Sequence, residues 1–198
     1  MERRTLRRSL ILEPVHMDAD KPSDTPTIDA GRFTLRKLER ADTAALFPTL
    51  SDEAQCLYLS QPRFETEEAL ADWLTDASWD GRSWVAVDKA DGAIAGRYVA
   101  VPGRDEGVQE LGYITVLGRQ GQGVALECMR ALIGYLFATE GYRRLYAELD
   151  AENAASVALI EHLGFMREGC LRQHEISHKG LCDMLVYGLL RGEWAARY

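Results

Sequence analysis

Two glycines spaced two apart, Gly121 and Gly123, sit in the stretch Arg119-Gln120-Gly121-Gln122-Gly123-Val124-Ala125. Strand-like alternation precedes this stretch and a long helical repeat of apolar residues follows it. Glycine reaches backbone angles closed to other residues, so such a loop can aim successive backbone N–H groups at one point. The helix behind it adds the partial positive charge of its N-terminus, which makes a site suited to a phosphate or pyrophosphate. A plain strand-to-helix turn is the competing reading. Two well-known phosphate loops fit poorly. A Walker loop needs Lys followed by Ser or Thr at the helix start, where this chain has Val124-Ala125. A dinucleotide fingerprint needs a third glycine and follows the first strand of its domain, whereas this loop comes late.

The elements around the loop can be read from periodicity. Residues 1–27 mix basic residues with Asp, Pro and Ser and hold no lasting period, which predicts a flexible arm ahead of one domain at 28–198. Alternation at 33–38 predicts a strand, and Asp42 an N-cap for a short helix through Leu46 and Leu50. A helix follows Thr66, with Leu70, Trp73 and Leu74 on one face. Strands are predicted at 84–87, 93–101 and 108–116, the first two joined by the turn signal Asp91-Gly92. The long helix at 123–139 ends at Gly141. A strand at 145–149, a helix at 153–163 closed by Gly164, and a strand pair at 165–175 and 184–190 complete the domain. This order predicts a mixed α/β sheet, with the strands flanking the long helix parallel to each other.

Here the sequence resembles the GCN5-related N-acetyltransferase (GNAT) superfamily. Gln120-Gly121-Gln122-Gly123-Val124-Ala125 matches that family's pyrophosphate loop, Q/R-x-x-G-x-G/A. Glu110-Leu111-Gly112-Tyr113 resembles its fourth strand, and Asn153-Ala154-Ala155-Ser156 with Leu163-Gly164-Phe165 resembles its N-x-x-S and L-G-F element. Gly180-Leu181-Cys182-Asp183, with Tyr187 and Trp194, resembles the closing strand of the branch holding the RimJ/RimL-type ribosomal-protein N-terminal acetyltransferases. Arg36, Leu38 and Asp42 fit the opening of that branch. The resemblance spans roughly residues 30–195. It implies a mixed, mostly antiparallel twisted sheet with flanking helices and a central β-α-β unit that binds acetyl-CoA.

The resemblance also implies roles. Thr115, Val116 and Leu117 would pair through their backbone with the pantetheine arm, as an extended ligand joins a strand edge. Gln120, Gly121, Gln122, Gly123, Val124 and Ala125 would cradle the pyrophosphate. Glu110 would act as general base, directly or through water; the alternative is a surface glutamate near Glu106. A tyrosine that protonates the departing thiolate in many family members is absent, since Ile160 stands in its place. Ser156 would substitute for it, with helix-start capping as its rival role. Asn153 would bind pantetheine, cap the helix, or both. Tyr113 and Tyr187 read as sheet or core residues. Trp73 and Trp79 fall in the region that shapes the family's acceptor pocket.

Composition bounds the partners. The chain has 198 residues, 46% apolar and 27% charged, with a net charge of −8. That balance suits a globular domain and argues against nucleic acid or an anionic membrane as partner. No run of about 18 apolar residues occurs and the N-terminal apolar stretch is short, so a cytoplasmic address is expected. Cys170, His174, His178 and Cys182 recur every four residues, but without the tight knuckle of structural zinc sites, and no metal is expected. The function implied is acetyl transfer from acetyl-CoA to a primary amine, on a peptide N-terminus or a small molecule, by a monomer or homodimer. A non-catalytic acetyl-CoA sensor on the same fold is the alternative.

Overall fold

Period-two alternation across the chain builds one sheet, and helices cover both of its faces. The computed structural model describes residues 25–198. In chain order the elements are β1 (Ile28–Ala30), β2 (Phe33–Lys37), α1 (Thr43–Leu50), α2 (Glu53–Cys56), α3 (Glu67–Leu74), β3 (Arg82–Asp88), β4 (Ile94–Pro102), β5 (Val108–Thr115), α4 (Val124–Ala138), β6 (Arg144–Asp150), α5 (Ala154–His162), β7 (Met166–Ser177), β8 (Gly180–Leu190) and α6 (Arg191–Arg197). The strands lie in the order β1-β2-β3-β4-β5-β6-β8-β7. Every neighbouring pair is antiparallel except β5–β6, which is parallel, as a crossover through α4 requires.

Alternation sends successive strand residues to opposite faces. Leu35, Trp84, Ala86, Tyr98, Leu111 and Leu145 bury against the apolar stripe of α4, with Cys128, Met129, Leu132, Ile133 and Leu136 at its centre. Leu38 and Val85 bury on the other face, against Leu46, Leu50, Leu70 and Leu74 of α1 and α3. That second layer covers β2 to β4 and leaves the β5–β6 part of its face open for a site.

Three features depart from the expected elements. β1 pairs with β2 through Ile28 and Leu35 and extends the sheet by a strand too short to show a period. Trp194 belongs to α6, where it packs on Phe137 with ring centres 6.4 Å apart, rather than to a closing strand. Asp42 precedes α1, but its carboxylate caps nothing in that helix. Instead it accepts two hydrogen bonds from Arg36, at 2.8 and 2.7 Å, and one from the Glu39 N–H at 2.8 Å. The arm expected at 1–27 lies mostly outside the described residues. At its described end the Pro26 carbonyl accepts from the Trp84 indole at 2.8 Å.

Asp42 therefore ties the β2 exit to the start of α1, and α1 positions the helical layer beside the open part of that face. Only 6% of Asp42 is exposed, so losing its carboxylate leaves Arg36 and the Glu39 N–H without their partner. Asp42→Ala should lower unfolding stability by about 2 kcal/mol in a denaturant titration, with the slope unchanged. A loss below about 0.5 kcal/mol would show that this bracket is dispensable.

Candidate functional site

The site begins where two strands part. β5 and β6 pair only from Val108–Arg144 to Glu110–Tyr146. Beyond that point both strands continue, β5 to Thr115 and β6 to Asp150, without bonding to each other. The Val116 N–H donates to the Ala95 carbonyl at 3.0 Å, on the β4 side. Backbone groups alternate in direction along a strand, so Tyr113 and Thr115 direct theirs into the gap.

The glycine loop stands at the mouth of this gap. Gly121 and Gly123 have φ of 71° and 77°, in the left-handed region where a side chain is strained. Gly123 sits at the N-cap of α4 and no side chain caps that helix, so its first N–H groups face the cleft. The loop is pinned from several sides. Gln120 Nε2 donates to Gln55 Oε1 at 2.6 Å and Gln122 Nε2 to the Gly118 carbonyl at 3.0 Å. Arg32 reaches across from the β1–β2 turn to Glu127 at 2.7 Å and to the Gln122 carbonyl at 3.0 Å. Arg119 pairs with Asp88 at 3.0 Å and with Asp91. These pairs anchor the loop's base to the β3–β4 hairpin.

A cleft of about 470 Å³ runs along the loop. Thr115, Gln120, Gly121, Gly123, Val124, Ala125 and Asn153 line it, with Tyr113 and Ser156 at its inner end. Three of the expected cofactor contacts do not. Val116 uses its N–H on Ala95 and its carbonyl on the Arg119 N–H at 2.8 Å. The Leu117 N–H goes to Thr49 Oγ1 at 3.0 Å, and the Gln122 side chain folds back on Gly118. The available strand edge is therefore Tyr113 and Thr115.

The groups that can move protons meet at the inner end. Asn153 Oδ1 accepts the Ser156 N–H at 3.1 Å, so Asn153 is the helix cap and the Ser156 hydroxyl is free for other work. That hydroxyl lies 2.6 Å from the Tyr113 hydroxyl. Burial pushes the Tyr113 phenol up to about 12, so it stays protonated at neutral pH. Past this pair the cleft opens into an acidic cavity of about 290 Å³ containing Glu110, Glu148, Asp150 and Glu175. Glu110 accepts from the Tyr146 hydroxyl at 3.1 Å. Burial raises its pKa above the usual carboxylate value, and the nearby Glu148 and Glu175 push the same way, against the Tyr146 hydrogen bond. Lys179, from the β7–β8 turn, pairs with Asp150 and Glu152, each at 2.7 Å, and offsets the charge of Asp150. Glu110 and Ser156 thus border one cavity. Tyr113 borders it with them and Tyr146 reaches Glu110 from β6, although an aromatic residue on a strand reads first as packing. Among the described residues no group of three potential ligands is arranged to hold a metal; Cys170 registers with Leu185 and Cys182 with Glu175. No described helix is long and apolar enough to cross a membrane.

The family described as an acetyltransferase (GNAT) domain matches residues 32–166. The protein named "Uncharacterized N-acetyltransferase p20" from Bacillus licheniformis is 30% identical over 175 residues, covering 85% of this chain and 98% of its own length. Among solved structures, a GCN5-related N-acetyltransferase from Brucella melitensis shares 27% identity with a TM-score of 0.80, over 89% of this chain and 83% of that one. A spermidine N-acetyltransferase from Vibrio cholerae, in complex with CoA and spermine, has a TM-score of 0.72 at 21% identity, over 83% of this chain and 98% of that one.

Glu110 also leaves a mark on stability. Its folded pKa is raised, so the folded protein holds this proton more tightly than the unfolded chain. Stability from this group is highest below the unfolded pKa and declines as pH rises through the folded one. Glu110→Gln removes a carboxylate that resists ionisation, so its melting temperature at pH 7 should exceed that of the wild type. The gain should vanish by about pH 3, well below the unfolded glutamate pKa of about 4.3, where the wild-type carboxyl is protonated in both states. A lower melting temperature at pH 7 would mean that the ionised carboxylate is a structural asset.

Proposed function

The chain belongs to the GNAT acetyltransferase family, and from that premise we propose that it passes the acetyl group of acetyl-CoA directly to a primary amine at the junction of the loop cleft and the acidic cavity. One observation carries this reading: the cleft below the glycine loop continues into the acidic cavity past Tyr113, Asn153 and Ser156, which line both. A diphosphate at the loop and a thioester at the strand gap would be held by one continuous channel, and an amine enters from the other end.

Each residue then has a task. The N–H groups at the start of α4, with Gly121 and Gly123, bind the pyrophosphate. The exposed edge of Tyr113 and Thr115 pairs with the amides of the pantetheine arm. A gap-facing N–H of β5 stabilises the negative charge that develops on the thioester oxygen. The acidic cavity draws in an ammonium, and Glu110, poised by burial, takes its proton directly or through water. The freed amine attacks the carbonyl carbon, a C–N bond forms and the C–S bond breaks. Ser156 gives its proton to the leaving sulfur, the Tyr113 hydroxyl 2.6 Å away resupplies Ser156, and the second proton shed by the acetylated nitrogen returns Tyr113 to its neutral form.

The acceptor class is a primary amine, on a peptide N-terminus or a small molecule. Placement beside the RimJ/RimL-type branch is supported by Gly180-Leu181-Cys182-Asp183 and Tyr187 on β8, with Arg36 and Asp42 at the opening of the domain.

Thiol release from acetyl-CoA with a panel of amines tests this function. The wild-type kcat/KM should fall as pH drops through the Glu110 pKa, and this acid limb should lie above the ordinary glutamate value. Glu110→Gln should lower the rate by roughly 10²–10⁴-fold near neutral pH, lose that limb, and keep acetyl-CoA affinity in calorimetry. A variant that matched the wild type from pH 6 to 9 would remove Glu110 from the mechanism. A chain that bound no acetyl-CoA would overturn the function itself.

A further inference from the structure

The acidic cavity adjoins a second lobe that the transfer chemistry does not require. The two share Leu59, Ser60, Gly112 and Tyr113. The second lobe, also about 290 Å³, is walled mainly by Leu50, Phe64, Trp73, Trp79 and Val99. Gly112 lines both, and a Cβ there would stand 2.9 Å from Val99 Cγ2, which lines the second lobe.

Into this apolar lobe β4 delivers a cation. Arg97 registers with Ile114 and Val99 with Gly112, so Arg97 stands on the sheet face that carries Glu110 and Gly112. Its guanidinium lies against two indoles, 4.8 Å from the ring centre of Trp73 and 5.6 Å from that of Trp79. Its Nε donates to Ser83 Oγ at 2.9 Å. A guanidinium carries five N–H donors, and among the described residues no other protein acceptor and no ion pair engages this one. Asp76 lines the same lobe, but its Oδ1 accepts both the Ser78 N–H at 2.8 Å and the Ser78 hydroxyl at 2.7 Å, and neither of its oxygens pairs with Arg97. Burial pushes the Arg97 pKa down to about 10, so the side chain remains a cation at neutral pH in surroundings that disfavour one. A partly buried charge without a counter-ion is costly unless something else pairs with it. The planar fork it presents fits a carboxylate through two parallel hydrogen bonds.

We propose that Arg97 binds a carboxylate of the acceptor, so that the molecule acetylated is an amine with an apolar body and a carboxylate, its ammonium in the acidic cavity and its carboxylate on Arg97. This rests on the acetyl-transfer reading above and narrows its acceptor class. Ile114, opposite Arg97, is four residues from Glu110, roughly 13 Å along the strand. That separation favours an amine and a carboxylate several bonds apart, as in a short peptide or an ω-amino acid. A polyamine fits the acidic cavity alone and would place a second cation against Arg97.

Matched pairs test the proposal: ω-amino acids and apolar dipeptides against their C-terminal amides, assayed by thiol release with the full chain. The carboxylates should exceed their amides by about 30-fold in kcat/KM, mostly through KM. Arg97→Gln should erase that preference while retaining acetyl-CoA affinity, and Arg97→Lys should restore part of it. Wild-type protein that treated the pairs alike, or an Arg97→Gln variant that kept the preference, would overturn the assignment. Trp73 and Trp79 give a second readout, free of any chemistry and of any variant. Carboxylates, and not amides, should change the intrinsic fluorescence of the wild type without acetyl-CoA, and no such response would overturn the proposal. If carboxylates bind in this assay and no amine is acetylated, the transfer reading fails and the Arg97 site stands.

Discussion

A strand edge with unpaired backbone groups must find partners, and this fold turns that requirement into a binding site. β5 is held along its length by β4, from Gly96–Thr115 to Pro102–Gln109, and β6 by β8 over all of Arg144–Asp150. The two halves of the sheet are each internally paired, and three residue pairs join them. Beyond those pairs the halves part, and the inner edge of β5 is left facing a gap. In a closed sheet those groups would be used up by β6. Among the described residues the Tyr113 and Thr115 N–H groups have no partner, although the Thr115 carbonyl accepts from Gln120 Nε2 at 3.3 Å, so an extended amide-bearing arm can take the place of the missing strand. The glycine loop, the Tyr113–Ser156 pair and Glu110 are all placed relative to that opening.

Charge is distributed along the channel in a way that the net value hides. The whole chain carries −8, yet the cofactor end relies on helix N–H groups and on Arg119, whose charge Asp88 and Asp91 largely neutralise. The cavity past Ser156 is negative, with Lys179 offsetting Asp150 at its rim. The lobe beyond it holds Arg97, which among the described residues forms no ion pair. An acceptor bound as proposed would meet one negative and one positive surface within a single cavity system, an arrangement that selects partners more by mismatch than by raw affinity.

Much of this was legible in the sequence, and the failures have physical causes. The loop, the long helix and its closing Gly141 could be read because each rests on local backbone requirements: left-handed glycines, an apolar stripe, a C-terminal stop. β1 escaped notice because three residues carry no period. α6 escaped because Trp194 was read as part of the closing strand. The N–H groups of Val116 and Leu117, expected to meet the cofactor, are claimed by Ala95 and Thr49, and those are tertiary contacts that the sequence does not show. Tyr113 looks like a packing residue on a strand until Ser156 is brought to it from α5. Arg97 did leave a trace, a lone charge in the middle of Ile94-Ala95-Gly96-Arg97-Tyr98-Val99, but the face it occupies could not be known before the helical layer was placed.

Backbone hydrogen exchange on the full chain, with and without CoA, tests the central claim most directly. If the parted strands receive the pantetheine arm, the Tyr113 and Thr115 amides should gain protection on adding CoA, together with those of Gly121 to Val124 at the loop. Protection of the loop alone, with Tyr113 and Thr115 exchanging as fast as before, would contradict the account and place the arm elsewhere.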